Sequence, residues 1–152
     1  LKDSGAMAEN EWVQVGKWYH FDANGHMQTG WLQFGSTWYY LKDSGAMAEN
    51  EWVQVGKWYH FDANGHMQTG WLQFGSTWYY LKDSGAMAEN EWVQVGKWYH
   101  FDANGYMQTG WLQLGSTWYY LKDSGAMAEN EWVENGKYYV DASGKYIPGK
   151  TK

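Results

Sequence analysis

Tryptophan residues recur in pairs throughout this chain of 152 residues, and the two members of a pair are six or seven residues apart. The face of an indole ring attracts cations through its quadrupole, and it also packs against apolar surfaces. Repetition of the pairs at a fixed period predicts one aromatic site that is built many times. The pairs are Trp12/Trp18, Trp31/Trp38, Trp52/Trp58, Trp71/Trp78, Trp92/Trp98 and Trp111/Trp118, and Trp132 is left over.

Histidine and aspartate side chains form a second cluster that could carry chemistry. His20, Asp22 and His26 recur forty residues later, but Tyr106 takes the place of the second histidine in the third copy. A metal site would not survive that change, and His20 stands where the other kind of unit has Tyr40. Catalysis needs one preorganised constellation, whereas every candidate group here occurs in repeated copies. We therefore predict no metal, no cofactor and no enzymatic activity.

Composition excludes further classes of function. The net charge is −6, and the 11 basic residues are dispersed, which argues against a nucleic-acid partner. There is no cysteine, so disulfides and thiolate metal sites are excluded. No apolar run reaches 18 residues, so we expect no transmembrane segment.

The tryptophan pairs belong to an internal repeat. Residues 1–40 and 41–80 are identical, and residues 81–120 differ from them only by Tyr106 and Leu114. Each block of forty divides into two similar units of 19 and 21 residues. We expect a single repeat domain over residues 1–152, composed of a partial unit (1–11), six units (12–131), and a degenerate C-terminal unit with a cap (132–152).

Each unit has the pattern of a β-hairpin. Short runs of β-favouring residues flank Gly16 or Gly35, and the polar segments 22–25 and 42–45 are typical turns that end in glycine. One hairpin is only marginally stable in water, so the units must stack on their neighbours. We predict an all-β fold, a β-solenoid of stacked hairpins with about 20 residues per unit. Segment 147–149 contains proline, and we expect it not to extend a strand ladder.

Alternation along the second strand predicts which side chains share a face. Trp18 and His20 should lie on one face, with Tyr19 and Phe21 on the other. Both faces are therefore apolar, which again requires stacking on both sides of a hairpin.

Stacking brings equivalent positions of successive units together. We expect the second tryptophan of the following unit to complete each pair, as in the triplet Trp31/Trp38/Trp58, so that Trp58 serves two sites. Three converging ring faces form a cage for a quaternary ammonium group. Six cages follow, of which the last is closed by Tyr138, and Trp132 is left as a structural residue.

The segment 30–47 reads Gly-Trp-x-x-x-Gly-x-x-Trp-Tyr-Tyr-Leu-x-x-x-Gly-x-Met and resembles the choline-binding repeat of pneumococcal-type surface proteins, autolysins and phage cell-wall enzymes. The resemblance covers essentially the entire chain. It implies a left-handed solenoid that holds phosphocholine of teichoic acids between consecutive units. It also implies that the methionine after each turn can line the pocket, although the same residues would serve as filler between hairpins.

The candidate choline-binding residues are therefore the twelve paired tryptophans, Tyr138 and six methionines. They are Trp12, Trp18, Trp31, Trp38, Trp52, Trp58, Trp71, Trp78, Trp92, Trp98, Trp111, Trp118, Tyr138, Met27, Met47, Met67, Met87, Met107 and Met127.

From the resemblance we expect a secreted, non-catalytic module that binds choline or phosphocholine on teichoic or lipoteichoic acid at a Gram-positive cell surface and anchors a protein there. It leaves room for a fused catalytic or adhesin domain N-terminal to this chain. Two alternatives stay open: a repeat that binds glucan or another carbohydrate, and a structural or engineered scaffold without a ligand.

Overall fold

A computed structural model describes residues 2–151, and it consists of β-hairpins joined by turns. No described residue is helical, so none lies in a helix that could cross a membrane. The all-β fold of repeated hairpins predicted from the sequence is thus confirmed. The strands are β1 (Glu11–Val15), β2 (Lys17–Phe21), β3 (Gly30–Phe34), β4 (Thr37–Leu41), β5 (Glu51–Val55), β6 (Lys57–Phe61), β7 (Gly70–Phe74), β8 (Thr77–Leu81), β9 (Glu91–Val95), β10 (Lys97–Phe101), β11 (Gly110–Leu114), β12 (Thr117–Leu121), β13 (Glu131–Val133), β14 (Tyr138–Val140) and β15 (Tyr146–Ile147).

The register of each hairpin gives it two different faces. In β1–β2, Trp12 pairs with His20 and Gln14 pairs with Trp18, so Trp18 and His20 share one face, as predicted, and Trp12 lies on the same face. Tyr19 lies on the opposite face. We call the face with the tryptophan pair the front face, and the face with the tyrosine that follows the second tryptophan the back face.

An aspartate holds the turn that follows the hairpin. The backbone N–H groups of Asn24 and His26 both donate to Asp22 Oδ1 at 2.9 Å. The His26 hydrogen bond is the largest cause that lowers the pKa of the Asp22 carboxyl below its usual value. The chain then returns to the hairpin, where Met27 forms an isolated bridge with Phe21. The same turn is built on Asp62, where the two distances are again 2.9 Å.

Contacts between Cα atoms divide the chain into two compact units. The first unit contains the residues up to Gly70 together with Leu81–Ala86, and the second contains Trp71–Tyr80 together with the residues from Met87 onward. The boundary falls within the β7–β8 hairpin.

Within each unit, the front face of one hairpin packs on the back face of the next. In the first unit, the Trp31 ring lies 4.9 Å from that of Tyr59 and 5.9 Å from that of Phe61. Phe61 is fully buried by this packing. In the second unit, Trp71 lies 4.8 Å from Tyr99. The stacking that a marginal hairpin requires is therefore made mainly by aromatic rings.

Each methionine after a turn packs against the glycine of the next turn. A Cβ atom added to Gly65 would lie closer than 3.0 Å to Met47 Sδ, and the same clash would arise between Gly105 and Met87. Glycine is thus required at this position for two reasons: its φ is positive, and the methionine thioether occupies the space that a side chain would need. The predicted role of the methionines as filler between hairpins is confirmed for this contact.

The C-terminal hairpin differs from the prediction. Segment 147–149 was expected not to extend a ladder, but Ile147 pairs with Tyr139 in the three-stranded sheet β13–β14–β15. The ladder ends before Pro148, which has no N–H group to donate. The expectation was therefore wrong for Ile147, since proline favours extended backbone at the residue before it, and that conformation is compatible with a strand.

Substitution of two glycines separates backbone strain from close packing. Gly56→Ala, at the tip of β5–β6, has φ +75° and nothing within 4 Å, so it should destabilise the fold by about 1–2 kcal/mol through strain alone. Gly65→Ala has φ +81° and also meets Met47, so it should cost roughly 1–3 kcal/mol more. Thermal and urea unfolding of both variants measure this difference.

The double variant Met47→Ala/Gly65→Ala is the control, since it removes the clash but keeps the strain. It should be less destabilised than the sum of the two single variants. Equal stability of Gly56→Ala and Gly65→Ala would contradict the proposed close contact.

Candidate functional site

A cleft in the first unit has three aromatic walls that stand nearly at right angles. Trp31 and Trp38 have ring centroids 6.0 Å apart at 90°, and Tyr59 of the next hairpin lies against Trp31 at 77°. Met67 and Ser84 complete the lining, and the volume of the cleft is about 250 Å³. Such a volume suits a small organic group. We call this cleft the Trp31 cage and name its counterparts in the same way.

The second unit contains a copy of this cleft forty residues further on. In the Trp71 cage, Trp71 and Trp78 lie 5.9 Å apart at 90°, and Tyr99 meets Trp71 at 77°. Met107 and Ser124 complete the lining of a cleft of about 300 Å³. The geometry therefore follows the sequence repeat.

The other kind of hairpin forms a related cleft. The Trp92 cage is lined by Trp92, Trp98, Tyr119, Met127 and Ser143, with a volume of about 340 Å³. Its tyrosine lies 5.2 Å from Trp92, at 67°. Both kinds of hairpin thus make aromatic clefts.

The N-terminal tryptophan pair, Trp12 and Trp18, has a tyrosine and a methionine as partners, as the pairs in these cages do. Trp12 lies 5.1 Å from Tyr39, and the backbone N–H of Met47 donates to the Trp18 carbonyl at 2.8 Å. Trp52 and Trp58 occupy the equivalent positions on β5 and β6.

The Trp111 cage is the last of the second unit and has four aromatic walls. Trp111, Trp118, Tyr138 and Tyr146 line a cleft of about 310 Å³. Tyr138 was predicted from the sequence to close this site, and the structure places it there. Tyr146 was missed, although it stands in the position that methionine has in every earlier unit, and that alignment was the signal that could have identified it.

The predicted third wall was wrong in the other cages. Trp58 pairs with Gln54 on the front face of its own hairpin and cannot reach the preceding cage, whereas Tyr59 pairs with Val53 on the back face. Because adjacent residues of a strand point to opposite faces, the third wall is the tyrosine beside the predicted tryptophan. The prediction that Trp58 serves two sites fails for the same reason.

Backbone hydrogen bonds between successive hairpins position the methionines at the cages. The N–H of Met67 donates to the carbonyl of Trp38 at 2.9 Å, and that of Met107 donates to Trp78 at the same distance. Each cage therefore receives the methionine that follows the next hairpin, not its own. Among the described residues, no tryptophan pair stands one hairpin before Met27, which is 46% exposed and lines none of the four cages.

The histidines on the front faces replace an aromatic ring, as predicted. His20 is 5% exposed, and its Nδ1 donates to Gln28 Oε1 at 2.5 Å. Its ring meets Trp12 at 5.0 Å and 71°, as Tyr40 meets Trp31 at 5.1 Å and 71°. Within residues 2–151, no group of three or more histidine and acidic side chains is placed to hold a metal ion.

Charged groups stand beside the cages but do not line them. None of the four cages has a lysine or a carboxylate in its lining. Lys97, which precedes Trp98, pairs with Glu129 at 3.5 Å, and Lys17 pairs with Glu49 at the same distance. Since no charged side chain lines a cage, attraction for a cation inside it must come from the ring faces. Away from these four cages, on the back face of β8, burial is the main cause that raises the pKa of the Tyr79 hydroxyl.

These features define a tandem array of β-hairpins with aromatic clefts between them. The choline-binding repeat family model matches residues 13–52, 53–92 and 93–132, which is well over half of the chain. The chain belongs to the choline-binding repeat family.

Solved structures agree with this assignment. Choline-binding protein F from Streptococcus pneumoniae is 44% identical with a TM-score of 0.78, and the match covers 93% of this chain and 48% of that one. CbpJ from Streptococcus pneumoniae TIGR4 is 46% identical with a TM-score of 0.79, covering 90% and 47%. The modular autolysin LytC from Streptococcus pneumoniae is 30% identical with a TM-score of 0.67, covering 96% and 39%. The chain thus spans at most about half the length of these structures, and no curated protein sequence matches.

Adjacent residues on opposite faces should act on different cages. Tyr99→Leu removes a ring from the Trp71 cage, so binding of tetramethylammonium there should weaken on the order of tenfold, the value of one cation–π contact of about 1–2 kcal/mol. Trp98→Leu should leave the Trp71 cage unchanged and weaken the Trp92 cage instead. Indole N–H resonances of Trp71, Trp78 and Trp92 report the occupancy of each cage by NMR titration.

The two variants are matched controls for each other, since both replace one ring of the same strand by leucine. If Trp98→Leu weakened the Trp71 cage and Tyr99→Leu did not, the assignment of the third wall would be wrong.

Proposed function

We propose that this chain is a non-catalytic module that binds choline and phosphocholine of cell-wall teichoic or lipoteichoic acids, with the quaternary ammonium group held in the aromatic cages. The module would act outside the cell, at a Gram-positive surface, and would attach the polypeptide that contains it to the wall. The observation that carries the proposal is the set of three rings that line one cleft, in which the first tryptophan meets the second at 90° and the tyrosine at 77° in both the Trp31 and the Trp71 cage.

The lining of the cages favours a quaternary ammonium over a primary one. A primary ammonium has three N–H donors and loses strong hydration on burial, whereas the Trp31 cage offers rings, a thioether and one serine. The charge of a choline headgroup is spread over methyl groups that need no acceptor and that fit against ring faces. Selectivity for a quaternary ammonium group then comes from the scarcity of hydrogen-bond acceptors in the cage as much as from its ring faces.

One cage gives only modest affinity, and repetition compensates for it. Three cation–π contacts of roughly 1–2 kcal/mol each correspond to a dissociation constant on the order of millimolar. A polymer with many choline groups can occupy several cages of one chain at once, and avidity then exceeds the affinity of one site by about 10²–10⁴-fold. This accounts for the near identity of the repeats, since each copy contributes an equivalent site.

Retention on a solid phase tests the ligand class. The chain should be retained on a quaternary-amine resin and be eluted by free choline, because both present the same headgroup. Elution by sodium chloride at the same ionic strength should fail, which excludes simple anion exchange of a chain with a net charge of −6, and elution by glycerol or dextran should fail as well. Passage through the resin, or binding to dextran that choline does not compete, would favour the carbohydrate-binding alternative.

Attachment to the wall is tested separately. Fluorescently labelled chain should sediment with choline-bearing cell walls and be released by choline. The same walls after enzymatic removal of choline should not retain it. A variant with Trp38→Leu, Trp78→Leu and Trp118→Leu should sediment less than the unmodified chain, because avidity falls steeply with the number of cages. Equal sedimentation with both wall preparations would contradict anchoring through choline.

A further inference from the structure

The Trp111 cage differs from the others in its fourth wall, and it lacks the serine that completes their lining. Its fourth lining residue is Tyr146, where the Trp31, Trp71 and Trp92 cages have Met67, Met107 and Met127. The Tyr146 ring lies 5.7 Å from Trp111 and 5.9 Å from Tyr138, at 75° and 76°. The volume of about 310 Å³ lies within the range of the other three, so all four cages suit a headgroup of the same size.

The fourth ring replaces a weakly interacting wall by one with a quadrupole. A thioether contributes dispersion contact, whereas a phenol ring adds a negative face that attracts a cation. The Trp111 cage therefore surrounds its ligand with four such rings instead of three.

The fourth ring also has fewer rotatable side-chain bonds than the methionines. Tyr146 lies on β15, where it pairs with Val140, and the neighbouring Lys145 forms a bridge with Tyr119. Its ring packs against the buried cluster of Ala128, Val133 and Val140. Met67 and Met107 lie outside the strands, where each forms an isolated bridge and donates its N–H to a tryptophan carbonyl, and methionine has three rotatable side-chain bonds where tyrosine has two. Less side-chain freedom is lost on binding at a wall that is already fixed.

We propose that the Trp111 cage is the tightest binding site for quaternary ammonium groups among the four cages described here, that Tyr146 makes it so, and that it fills first as ligand is added. This inference rests on the proposed choline-binding function and adds an order of occupancy to it. The C-terminal hairpin then has a role in first capture of the ligand, in addition to its place at the end of the array.

The expected difference between cages is on the order of tenfold in dissociation constant, the value of one added cation–π contact. On titration with choline, the indole N–H resonances of Trp111 and Trp118 should reach half-saturation at a concentration about tenfold below that for Trp71 and Trp78. Isothermal titration calorimetry should show one site of higher affinity and a second class of sites with lower affinity.

Three variants assign the difference to Tyr146. Tyr146→Met gives the Trp111 cage the same two tryptophans, tyrosine and methionine as the others, without their serine, and should bring its midpoint close to that of the Trp71 cage. Tyr146→Phe keeps the ring and should keep the tighter binding. Tyr139→Met is the matched control, because it makes the same replacement in the same sheet at a tyrosine that does not line the cage. It should leave the order of occupancy unchanged.

The outcomes separate this inference from the proposed function. If choline perturbs no indole resonance, both are wrong. If all cages respond with one midpoint, the module binds choline but the proposal for Tyr146 is overturned. If Tyr146→Met does not fold, the comparison of midpoints in the unmodified chain and in Tyr146→Phe still decides the question, since a ring without its hydroxyl must preserve the difference. Loss of the difference in Tyr146→Phe overturns the proposal as well.

Discussion

The contact between a tryptophan of one hairpin and a tyrosine of the next is the interaction on which the rest of this structure depends. A two-stranded hairpin has too little apolar surface to be stable alone, so its front and back faces must both be covered. Trp31 against Tyr59 and Trp71 against Tyr99 provide this cover with rings that meet edge to face. Because the rings meet at steep angles, they leave a cleft where parallel stacking would have closed the interface.

Stability and binding therefore share the same side chains. The rings that hold two hairpins together are also the walls of the cleft between them, so a ligand in the cleft adds contacts across the interface. A ligand that binds only the folded state stabilises it by mass action. The buried side chains behind the walls, such as Phe61 and Leu41, do not line the cleft.

Much of the fold was predictable because local rules decide it. Glycine at the hairpin tip and strict alternation along each strand fixed the faces of Trp18 and Tyr19, and the register confirmed them. The wall supplied by the next hairpin was not predicted correctly, since the prediction compared equivalent positions and overlooked that Trp58 and Tyr59 point to opposite faces. Period-2 alternation was already visible in the sequence and would have identified Tyr59.

The C-terminal cage could not be derived from alternation alone. Trp132 pairs with a residue seven positions later, whereas Trp52 pairs with one eight positions later. This shorter register turns Tyr138 to the back face, where it acts as the counterpart of Tyr59, although its sequence position matches Trp58. Tyr146 also lay outside the prediction, because its role depends on β15 joining the sheet.

The identity of residues 1–40 and 41–80 has a consequence for how such a chain can change over generations. A block of forty residues contains one hairpin of each kind, and the two kinds alternate along the chain. Loss or duplication of a whole block therefore preserves the alternation, so that each hairpin still follows one of the other kind. Unequal crossing-over between identical blocks then alters the number of binding clefts without creating a junction that selection has never tested. The length of the gene then sets the number of aromatic clefts in the array.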